Sequence, residues 1–196
     1  MSRKQTFFSD DDYYLLRNHI ESFSKKICDY IKNNPGCSVL EIGPIGVYDQ
    51  LQLSSINYSK DIRDICKKYG CEYKTLDIIK GVADYTGSIE DLSFLDKKFD
   101  IIIALSVLEH VKNIFSVPKQ FNNYTNDNGT IFINVPFMFK VHGPVPDYWR
   151  ISTYGLDALF SEYFNLSFNT FPENEIGKNT IPLSINCVCN KRNKNV

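Results

Sequence analysis

The residues best suited to acid–base chemistry lie close together in the stretch "FKVHGPVPDYWRIS", residues 139–152. This stretch holds His142, one of three histidines in the chain, followed by Asp147, the single tryptophan Trp149, and Arg150. An imidazole with a pKa of about 6.5 is largely neutral and still basic near pH 7. Glycine and proline exclude a continuous helix or a central strand here. We therefore predict a stiff loop that carries His142 as a general base, with Asp147 as the residue that orients it.

The same region also has structural explanations. Asp147 and Arg150 can form an ion pair, and a large aromatic such as Trp149 can anchor a loop by burial, so we assign structural roles to Trp149 and Arg150. His110 either lines the same catalytic cleft or caps and packs a helix, and we favour the structural interpretation. His19 lies in an amphipathic helical pattern and is expected to be a surface or core histidine.

A second group of residues suits the binding of a ligand to the main chain. In "VLEIGPIG", residues 39–46, a strand pattern contains Glu41 and is followed by a turn with Gly43, Pro44 and Gly46. Glycine permits positive φ and lets a ligand approach the backbone, and a following helix would offer free N–H groups. Asp77 ends the next strand pattern, a position from which an acid can grip the two hydroxyls of a ribose. Each pattern alone also fits a plain strand–helix turn or a surface acid.

Hydrophobic periodicity predicts helices and strands that alternate along the chain. The predicted helices span residues 10–34, 47–56, 60–69, 106–124 with Pro118 expected to kink or divide it, and 152–164 with Ser152 or Thr153 as the cap. The predicted strands span 37–43, 72–78, 82–84, 99–105, 130–137 and an antiparallel edge pair at 166–171 and 181–189, with a turn at 126–129. Such alternation implies a parallel sheet covered on both faces, with ligands beyond the carboxyl ends of its strands. The loop at 138–152 leaves such an end, so we place it on the ligand side.

The segment "DKKFDIIIALSVLEHV" (96–111), with "LEIG" upstream and "NGTIFINVP" (128–136) downstream, resembles the class I S-adenosylmethionine-dependent methyltransferases. The resemblance is to the broad group that includes the ubiquinone and glycan O-methyltransferases, and it covers about residues 37–165. The "HGxxxDYWR" stretch is similar to a loop in a subset encoded near glycan or capsule genes. The resemblance implies a Rossmann-like, doubly wound, mostly parallel α/β sheet with an antiparallel C-terminal edge pair. It also implies a single domain over 1–196, with 1–36 as an N-terminal helical extension.

The resemblance further implies which residues meet the cofactor S-adenosyl-L-methionine and its product S-adenosyl-L-homocysteine. The turn from Gly43 through Pro44 to Gly46 would pack against the methionine and ribose parts, and Glu41 would orient that turn or meet the cofactor amine. Asp77 would hold the ribose hydroxyls. The third loop would meet adenine through Asp84, Ser88, Ile89 or Glu90. Leu105 and Ser106, at the end of the fourth strand, would line the methionine side.

Methyl transfer to a hydroxyl fits these residues. Sulfonium is a good leaving group, so positioning supplies much of the acceleration, and an alcohol acceptor needs a base such as His142. We therefore interpret the chain as an O-methyltransferase of a sugar or of a capsular or surface glycan precursor, with no metal required. An N-methyltransferase of a small amine is an alternative. A non-catalytic S-adenosylmethionine-binding partner protein is another, because Ile45 stands where the family usually has a glycine.

Composition narrows the possible partners. The formal net charge of −1 gives no electrostatic reason to expect nucleic-acid binding. The six cysteines form no CxxC pair and are expected to be reduced core thiols. The sequence has no apolar run long enough to span a bilayer and no apolar N-terminal signal, so we expect a cytoplasmic protein. The expected partner is a small-molecule or glycan acceptor, and the oligomeric state stays open.

Overall fold

The protein is built on one mixed sheet with helices on both faces. The computed structural model describes residues 10–44, 58–143, 146–171 and 181–192. Its helices are α1 (Asp10–Lys32), α2 (Tyr58–Lys68), α3 (Val117–Tyr124) and α4 (Thr153–Phe160). Its strands are β1 (Ser38–Ile42), β2 (Glu72–Asp77), β3 (Tyr85–Thr86), β4 (Phe99–Leu105), β5 (Thr125–Pro136), β6 (Phe164–Phe171) and β7 (Ser184–Lys191). Within the described residues these strands form a seven-stranded sheet in the order β3-β2-β1-β4-β5-β7-β6.

The sheet is parallel except at one edge. β3, β2, β1, β4 and β5 pair in parallel, whereas β7 pairs antiparallel with both β5 and β6. The chain order reverses between β1 and β4, and sheets of this kind bind ligands beyond their carboxyl ends near that point. The expected doubly wound, mostly parallel sheet with an antiparallel C-terminal edge pair is confirmed.

The central strands are buried because helices cover both faces of the sheet. β4, with the sequence FDIIIAL, buries every residue except Asp100, as is typical of a strand inside a parallel sheet. α1 and α2 pack on one face, where Ile27, Ile31 and Ile62 are fully buried. α3 and α4 pack on the other face, with Phe121 among their buried residues. The N-terminal helix, expected as an extension, therefore contributes to the core.

The segment after β4 is not the long helix that the sequence predicts. The chain makes short 3₁₀ turns at Leu108–His110 and Ile114–Ser116 before α3 begins at Val117. Ser106 has a φ of 54°, in the left-handed region, so a helix cannot continue directly from the strand. Pro118 lies in the first turn of α3, where its missing N–H removes no hydrogen bond, rather than at a kink. Of the helix predicted over 106–124, only Val117–Tyr124 forms, beginning beside Pro118 where a division was one of the two expectations, and the prediction is wrong for the part before Val117.

Two shorter predictions also differ from the structure. The strand fragment expected at 82–84 lies three residues later, at Tyr85–Thr86, beside β2. The turn expected at 126–129 is a bulge inside β5, where the pairing with β4 shifts its register. Asn128 takes the positive φ that this bulge requires, 62°.

The C-terminal part agrees better with its expectations. Ser152 caps α4 by accepting a hydrogen bond from Gly155 N at 3.1 Å, although the helix ends earlier than predicted, at Phe160. Cys187 and Cys189 lie on the same side of β7 with their sulfur atoms 3.5 Å apart, and all six cysteines are free. The helix predicted at 47–56 falls outside the described residues. No helix in the described ranges is long and apolar enough to cross a membrane.

A buried polar chain links α1 to the carboxyl end of β4. His19 is 7% exposed and contacts Ser184 Oγ through Nδ1 at 2.5 Å and Asn186 Nδ2 through Nε2 at 2.9 Å. Asn186 Oδ1 accepts a hydrogen bond from Asn134 Nδ2 at 2.6 Å, and Asn134 Oδ1 accepts one from Ser106 Oγ at 3.1 Å. Burial lowers the pKa of His19, which is a hydrogen-bonded core histidine.

We expect His19 to make the free energy of unfolding depend on pH. Its pKa is lower in the folded chain than its ordinary value of about 6.5, so the unfolded chain binds the proton more readily. This contribution to stability should be complete above about pH 6.5 and should decrease as the pH falls toward the folded-state pKa. Chemical denaturation should show that the free energy of unfolding falls less between about pH 7.5 and about pH 5.5 for His19→Gln than for the wild type. Equal losses would contradict the assignment.

Candidate active site

The carboxyl ends of β1, β2, β4 and β5 meet at one edge of the sheet. They deliver Gly43, Asp77, Ser106 and the loop 137–150 to that edge. Neighbouring strands are only about 4.8 Å apart, so residues that follow them must lie close together. The residues expected to meet the cofactor and the loop expected to face the acceptor therefore share one edge.

Gly43 begins the turn after β1 in a conformation that favours glycine. Its φ is 63°, and its N–H donates to the main-chain oxygen of Leu76 at 2.9 Å. A Cβ at this position would lie 3.0 Å from Val107 Cγ2, which is closer than nearly all real contacts. The turn therefore passes close to both β2 and the segment after β4. Pro44 is buried next to it, and Gly46 lies outside the described residues.

The carboxylate of Glu41 is held inside the protein beside this turn. It is 2% exposed and accepts hydrogen bonds from Ser59 Oγ on α2 and from Tyr73 OH on β2, the latter at 2.5 Å. Burial raises the pKa of Glu41, while both hydrogen bonds act in the opposite direction. Glu41 thus fixes β1, α2 and β2 relative to one another where the glycine turn begins.

Asp77 ends β2 with a carboxylate in a fixed position. It is 5% exposed, and its Oδ1 accepts a hydrogen bond from Ile79 N at 2.8 Å. Its main-chain oxygen accepts a second hydrogen bond from Gly87 N at 3.0 Å. A carboxylate fixed at this edge of the sheet is what the binding of ribose hydroxyls requires.

The two acids in the loop expected to meet adenine, Asp84 and Glu90, both accept hydrogen bonds from the protein. Asp84 Oδ2 accepts hydrogen bonds from Thr75 N and Thr75 Oγ1 at 2.9 and 2.8 Å. Glu90 Oε1 accepts one from a main-chain N–H of the segment after β4 at 2.5 Å. Ser88 Oγ accepts one from Glu90 N at 3.2 Å, and Ile89 is 4% exposed in the core. These contacts give the loop a defined conformation next to the end of β4.

Ser106 turns the chain sharply at the end of β4. A φ of 54° is strained for a residue other than glycine, and strain of this kind concentrates at functional sites. Its N–H donates to Asn134 O at 2.9 Å and its hydroxyl donates to Asn134 Oδ1 at 3.1 Å, so β5 maintains the conformation. Leu105, just before it, is 4% exposed and packs on the face covered by α1.

Arg150 organises the loop after β5. Its guanidinium forms a two-point ion pair with Asp147, at 2.6 and 2.8 Å, and also donates to the main-chain oxygens of Phe139 and Lys140. This pairing holds the pKa of Asp147 well below its usual range. Asp147 Oδ2 also accepts a hydrogen bond from His142 N at 3.0 Å. The ion pair between Asp147 and Arg150 that the sequence suggests is present. With the other hydrogen bonds of Arg150, it connects both ends of the loop.

Trp149 attaches the same loop to the core. Its Nε1 donates to Val111 O at 2.7 Å, and its ring packs against the core and lies 6.3 Å from the ring of Phe115. The main-chain N–H groups of Tyr148 and Trp149 donate to Glu109 O at 2.7 and 3.2 Å. These contacts agree with the anchoring role expected for Trp149.

Glu109, His110 and His142 come together beneath this loop. Glu109 Oε1 lies 3.8 Å from His142 Nε2 and 3.9 Å from His110 Nε2, and the two ring centroids are 5.0 Å apart. Glu109 is fully buried, and neither carboxylate oxygen has a hydrogen-bond partner among the described residues. Burial raises the pKa of Glu109 to about 8. His110 and His142, which the sequence offers as alternative candidates for the cleft, therefore line one site.

The Nδ1 atoms of both histidines face groups that can only accept hydrogen bonds. His110 Nδ1 lies 3.0 Å from Pro146 O, and His142 Nδ1 lies 3.0 Å from Asp147 Oδ2 and 3.3 Å from Lys140 O. In the neutral rings, each Nδ1 therefore carries the hydrogen and each Nε2 holds a lone pair. Burial lowers the pKa of His142, although Asp147 opposes the shift, so its ring is neutral at pH 7.

Glu109 is the site residue that sequence reasoning does not select. It lies within "VLEHV", directly before His110 and shortly after the most apolar strand of the chain. That position is its only signal in the sequence. Its burial comes from a loop that follows a different strand, so no local pattern reveals it.

A separate cavity of about 320 Å³ lies at the amino-terminal edge of the sheet, where Tyr30, Pro35 and Gly129 are among its lining residues. Two acids line it: Asp100 is already bonded to Ser38 and to Asn126, and Asp127 Oδ1 lies 3.7 Å from Lys191 Nζ. This cavity is therefore on the edge opposite to the residues described above.

The fold and the site define a Rossmann-like protein with a glycine turn, a strand-end acid and a His–Glu cluster at the ligand edge of its sheet. Residues 13–162 match the family described as a methyltransferase domain, so the chain belongs to that family. It is an enzyme of the S-adenosylmethionine-dependent methyltransferase class, and S-adenosylmethionine is its cofactor. A search of the curated proteins found no match.

Solved structures share this fold at low sequence identity. The chain is similar to a SAM-dependent methyltransferase from Archaeoglobus fulgidus, with 19% identity, a TM-score of 0.58 and coverage of 87% of this chain and 94% of that one. It is similar to an S-adenosylmethionine-dependent methyltransferase from Clostridium acetobutylicum ATCC 824, with 10% identity, a TM-score of 0.60 and coverage of 87% and 91%. It is also similar to the DszA carbon methyltransferase, with 12% identity, a TM-score of 0.56 and coverage of 80% and 47%.

Asp77→Asn should weaken cofactor binding and leave the fold intact. Asparagine keeps an oxygen for the hydrogen bond from Ile79 N, but it lacks the charge that strengthens bonds to ribose hydroxyls. Each charge-assisted bond is worth roughly 1.5–3 kcal/mol, so the affinity for S-adenosylmethionine should fall at least about tenfold. Calorimetric titration measures the affinity, and the melting temperature of the free protein should hardly change. Unaltered affinity would remove Asp77 from the ribose site.

Gly43→Ala should cost more stability than Gly36→Ala and should also weaken cofactor binding. Both glycines have positive φ, 63° and 78°, and an alanine in that region costs about 1–2 kcal/mol. Only the Cβ added at Gly43 would meet another atom, Val107 Cγ2 at 3.0 Å, since nothing lies within 4 Å at Gly36. Denaturation curves and calorimetric titration of both variants measure the difference. Equal effects on affinity would show that the turn does not approach the cofactor.

Proposed function

We propose that this protein transfers the methyl group of S-adenosylmethionine to a hydroxyl, with a sugar or a capsular or surface glycan precursor as the acceptor. The observation that carries the proposal is the state of His142. Burial lowers its pKa, its Nδ1 lies 3.0 Å from Asp147 Oδ2, and its Nε2 lies 3.8 Å from Glu109 Oε1 in the cluster at the carboxyl edge. This is the arrangement that a general base for an alcohol needs.

The residues at the carboxyl edge suit the cofactor. The left-handed turn at Gly43 presents main chain, Asp77 presents a fixed carboxylate, and Ser106 bounds the methionine side. When bound, the cofactor supplies a methyl group on a sulfonium whose sulfur keeps the electron pair as the methyl group leaves. The protein's main task is therefore to align an acceptor oxygen with that methyl group.

His142 removes the proton of the acceptor hydroxyl in this proposal. The oxygen forms its bond to the methyl carbon as His142 Nε2 takes the proton, which later passes to solvent. Lys140 O accepts from Nδ1 and so fixes the tautomer, while Asp147, whose Oδ2 lies 3.0 Å from Nδ1, would stabilise the ring once it is protonated. The ion pair with Arg150 keeps Asp147 ionised throughout, because it holds the pKa of that carboxyl well below its usual range.

Exposed aromatic side chains near the site support a sugar as the acceptor. Phe115 is 73% exposed beside Trp149, and Tyr148 is 44% exposed on the loop whose main chain is bonded to Glu109. Large exposed apolar side chains next to a site commonly contact its ligand. The C–H face of a sugar ring is a suitable partner for such rings.

A panel of acceptors tests the proposal. The full chain is incubated with S-adenosylmethionine and, separately, nucleotide-activated sugars, small amines and acceptors with an acidic carbon. Formation of S-adenosylhomocysteine and the position of the new methyl group are measured by mass spectrometry and NMR. A methyl ether on a sugar is the expected product. Methylation of nitrogen or carbon in preference to oxygen would refute it, and the carbon outcome would match the activity of DszA.

His142→Ala should lower kcat by about 10²–10⁴-fold while the affinity for S-adenosylmethionine changes little. The wild-type rate should fall with decreasing pH at a value below about 6.5, because burial lowers the pKa of His142. The rate of the His142→Ala variant should not show this decline with decreasing pH. His110→Ala is the matched control, since its ring lies in the same cluster. If His110→Ala removes the decline and His142→Ala does not, the base is His110.

A further inference from the structure

We propose that Glu109, His110 and His142 bind a divalent transition-metal cation of the zinc type. Two imidazole Nε2 atoms and a carboxylate oxygen converge there, and the three ligand atoms all lie within 4.8 Å of one another. Two histidines and one carboxylate are a ligand set that proteins use for Zn²⁺, with a fourth position left for water or substrate. The site departs from the expectation that the chemistry requires no metal.

The unpartnered carboxylate is the strongest indication of a ligand. Glu109 is fully buried, and among the described residues neither of its oxygens has a hydrogen-bond partner. The guanidinium of Arg150 is committed to Asp147 and to main-chain oxygens. Buried polar side-chain atoms in proteins nearly always have a partner, so a cation between the three groups would supply the one that Glu109 lacks.

The surroundings of both histidines are those of metal ligands. A ligating histidine almost always donates its other ring N–H to a carboxylate or a main-chain carbonyl, which fixes its tautomer and orientation. His110 Nδ1 faces Pro146 O at 3.0 Å, and His142 Nδ1 faces Asp147 Oδ2 at 3.0 Å. Each ring therefore keeps a lone pair on Nε2, and each Nε2 lies within 4 Å of Glu109 Oε1.

A cation needs only a small adjustment of these side chains. Tetrahedral ligands at roughly 2.0–2.2 Å from Zn²⁺ are about 3.4 Å apart. Glu109 Oε1 lies 3.8 Å from His142 Nε2 and 3.9 Å from His110 Nε2, and all three ligand atoms lie within 4.8 Å of one another, so side-chain shifts on the order of 1 Å would close the site. The side chains of His110 and His142 are 15% and 21% exposed, which leaves a path from solvent.

A cation must compete with protons for the ligand atoms of Glu109, His110 and His142. Carboxylate and imidazole ligands must be free of a bound proton before they can hold a cation. Binding of a cation must release that proton, and the affinity should therefore rise with pH. A second consequence rests on the proposed function: a cation here would bind the acceptor hydroxyl and lower its pKa, and the role of His142 as general base would then apply to the metal-free protein.

Titration with Zn²⁺ tests the site without any acceptor. The full chain is freed of metal by a chelator, dialysed, and titrated by calorimetry, with elemental analysis of the bound metal. We expect about one cation per chain, bound more tightly at higher pH. Glu109→Gln, which preserves shape, and His110→Ala and His142→Ala should each weaken binding at least about tenfold. Circular dichroism confirms that each variant folds.

Cysteines are the competing zinc ligands, so Cys71→Ser is the matched control. Cys37 and Cys71 have their sulfur atoms 3.5 Å apart, and this variant should bind the cation as the wild type does. Co²⁺ bound to the proposed site should show no thiolate charge-transfer absorption. Substoichiometric binding, or binding that Glu109→Gln and both histidine variants leave unchanged, would overturn the proposal.

The activity measurement separates the metal site from the proposed function. If no hydroxyl acceptor is methylated, the proposed function fails while the binding result stands by itself. If methyl ethers form at the same rate after chelation as with Zn²⁺ present, the cation does not act on the acceptor, and that part of the inference is overturned. Loss of the rate on chelation and its recovery with Zn²⁺ would support both parts.

Discussion

The site depends on the hydrogen bonds that the main-chain carbonyl of Glu109 accepts. This carbonyl accepts hydrogen bonds from the N–H groups of Tyr148 and Trp149, at 2.7 and 3.2 Å, and so docks the loop after β5 onto the turn after β4. The docked loop covers the Glu109 side chain and brings His142 within 3.8 Å of its carboxylate. These hydrogen bonds hold the loop where the rings of His142 and His110 have centroids 5.0 Å apart.

The described parts of this loop are also held by contacts of their own. Arg150 ties Asp147 to the main-chain oxygens of Phe139 and Lys140, which closes the loop on itself. Trp149 then joins the loop to the core through Val111 O. A loop with a fixed conformation loses little entropy on docking, so hydrogen bonds of modest strength suffice to hold it.

Two carboxylates in this small region have opposite properties. Hydrogen bonds from Arg150 hold the pKa of Asp147 well below its usual range, whereas burial raises the pKa of Glu109 to about 8. Environments that push the pKa values of neighbouring acids apart are typical of sites that move protons or bind cations. The polar chain from Ser106 through Asn134 and Asn186 to His19 supports the other side of the site, because it fixes the strained end of β4. Helix α1 is thereby connected to the carboxyl edge of the sheet.

The sequence by itself determined most of the strands and helices and the cofactor class. The unbroken apolar run of β4, the turn at Gly43, the cap at Ser152 and the antiparallel C-terminal pair all depend on residues that are neighbours in the chain or repeat with a fixed period. Such patterns can be recognised without knowing what lies across the fold. They also located His142, Asp147 and His110.

Only the tertiary structure decided what those residues could do. The left-handed φ of Ser106 is maintained by Asn134 on β5, so the helix predicted after β4 does not form. Glu109 becomes a site residue because a loop from a distant part of the sequence buries it, and His110 joins His142 for the same reason. Burial and the resulting pKa shifts arise from contacts between segments that are far apart in the chain, and a local pattern carries no information about them.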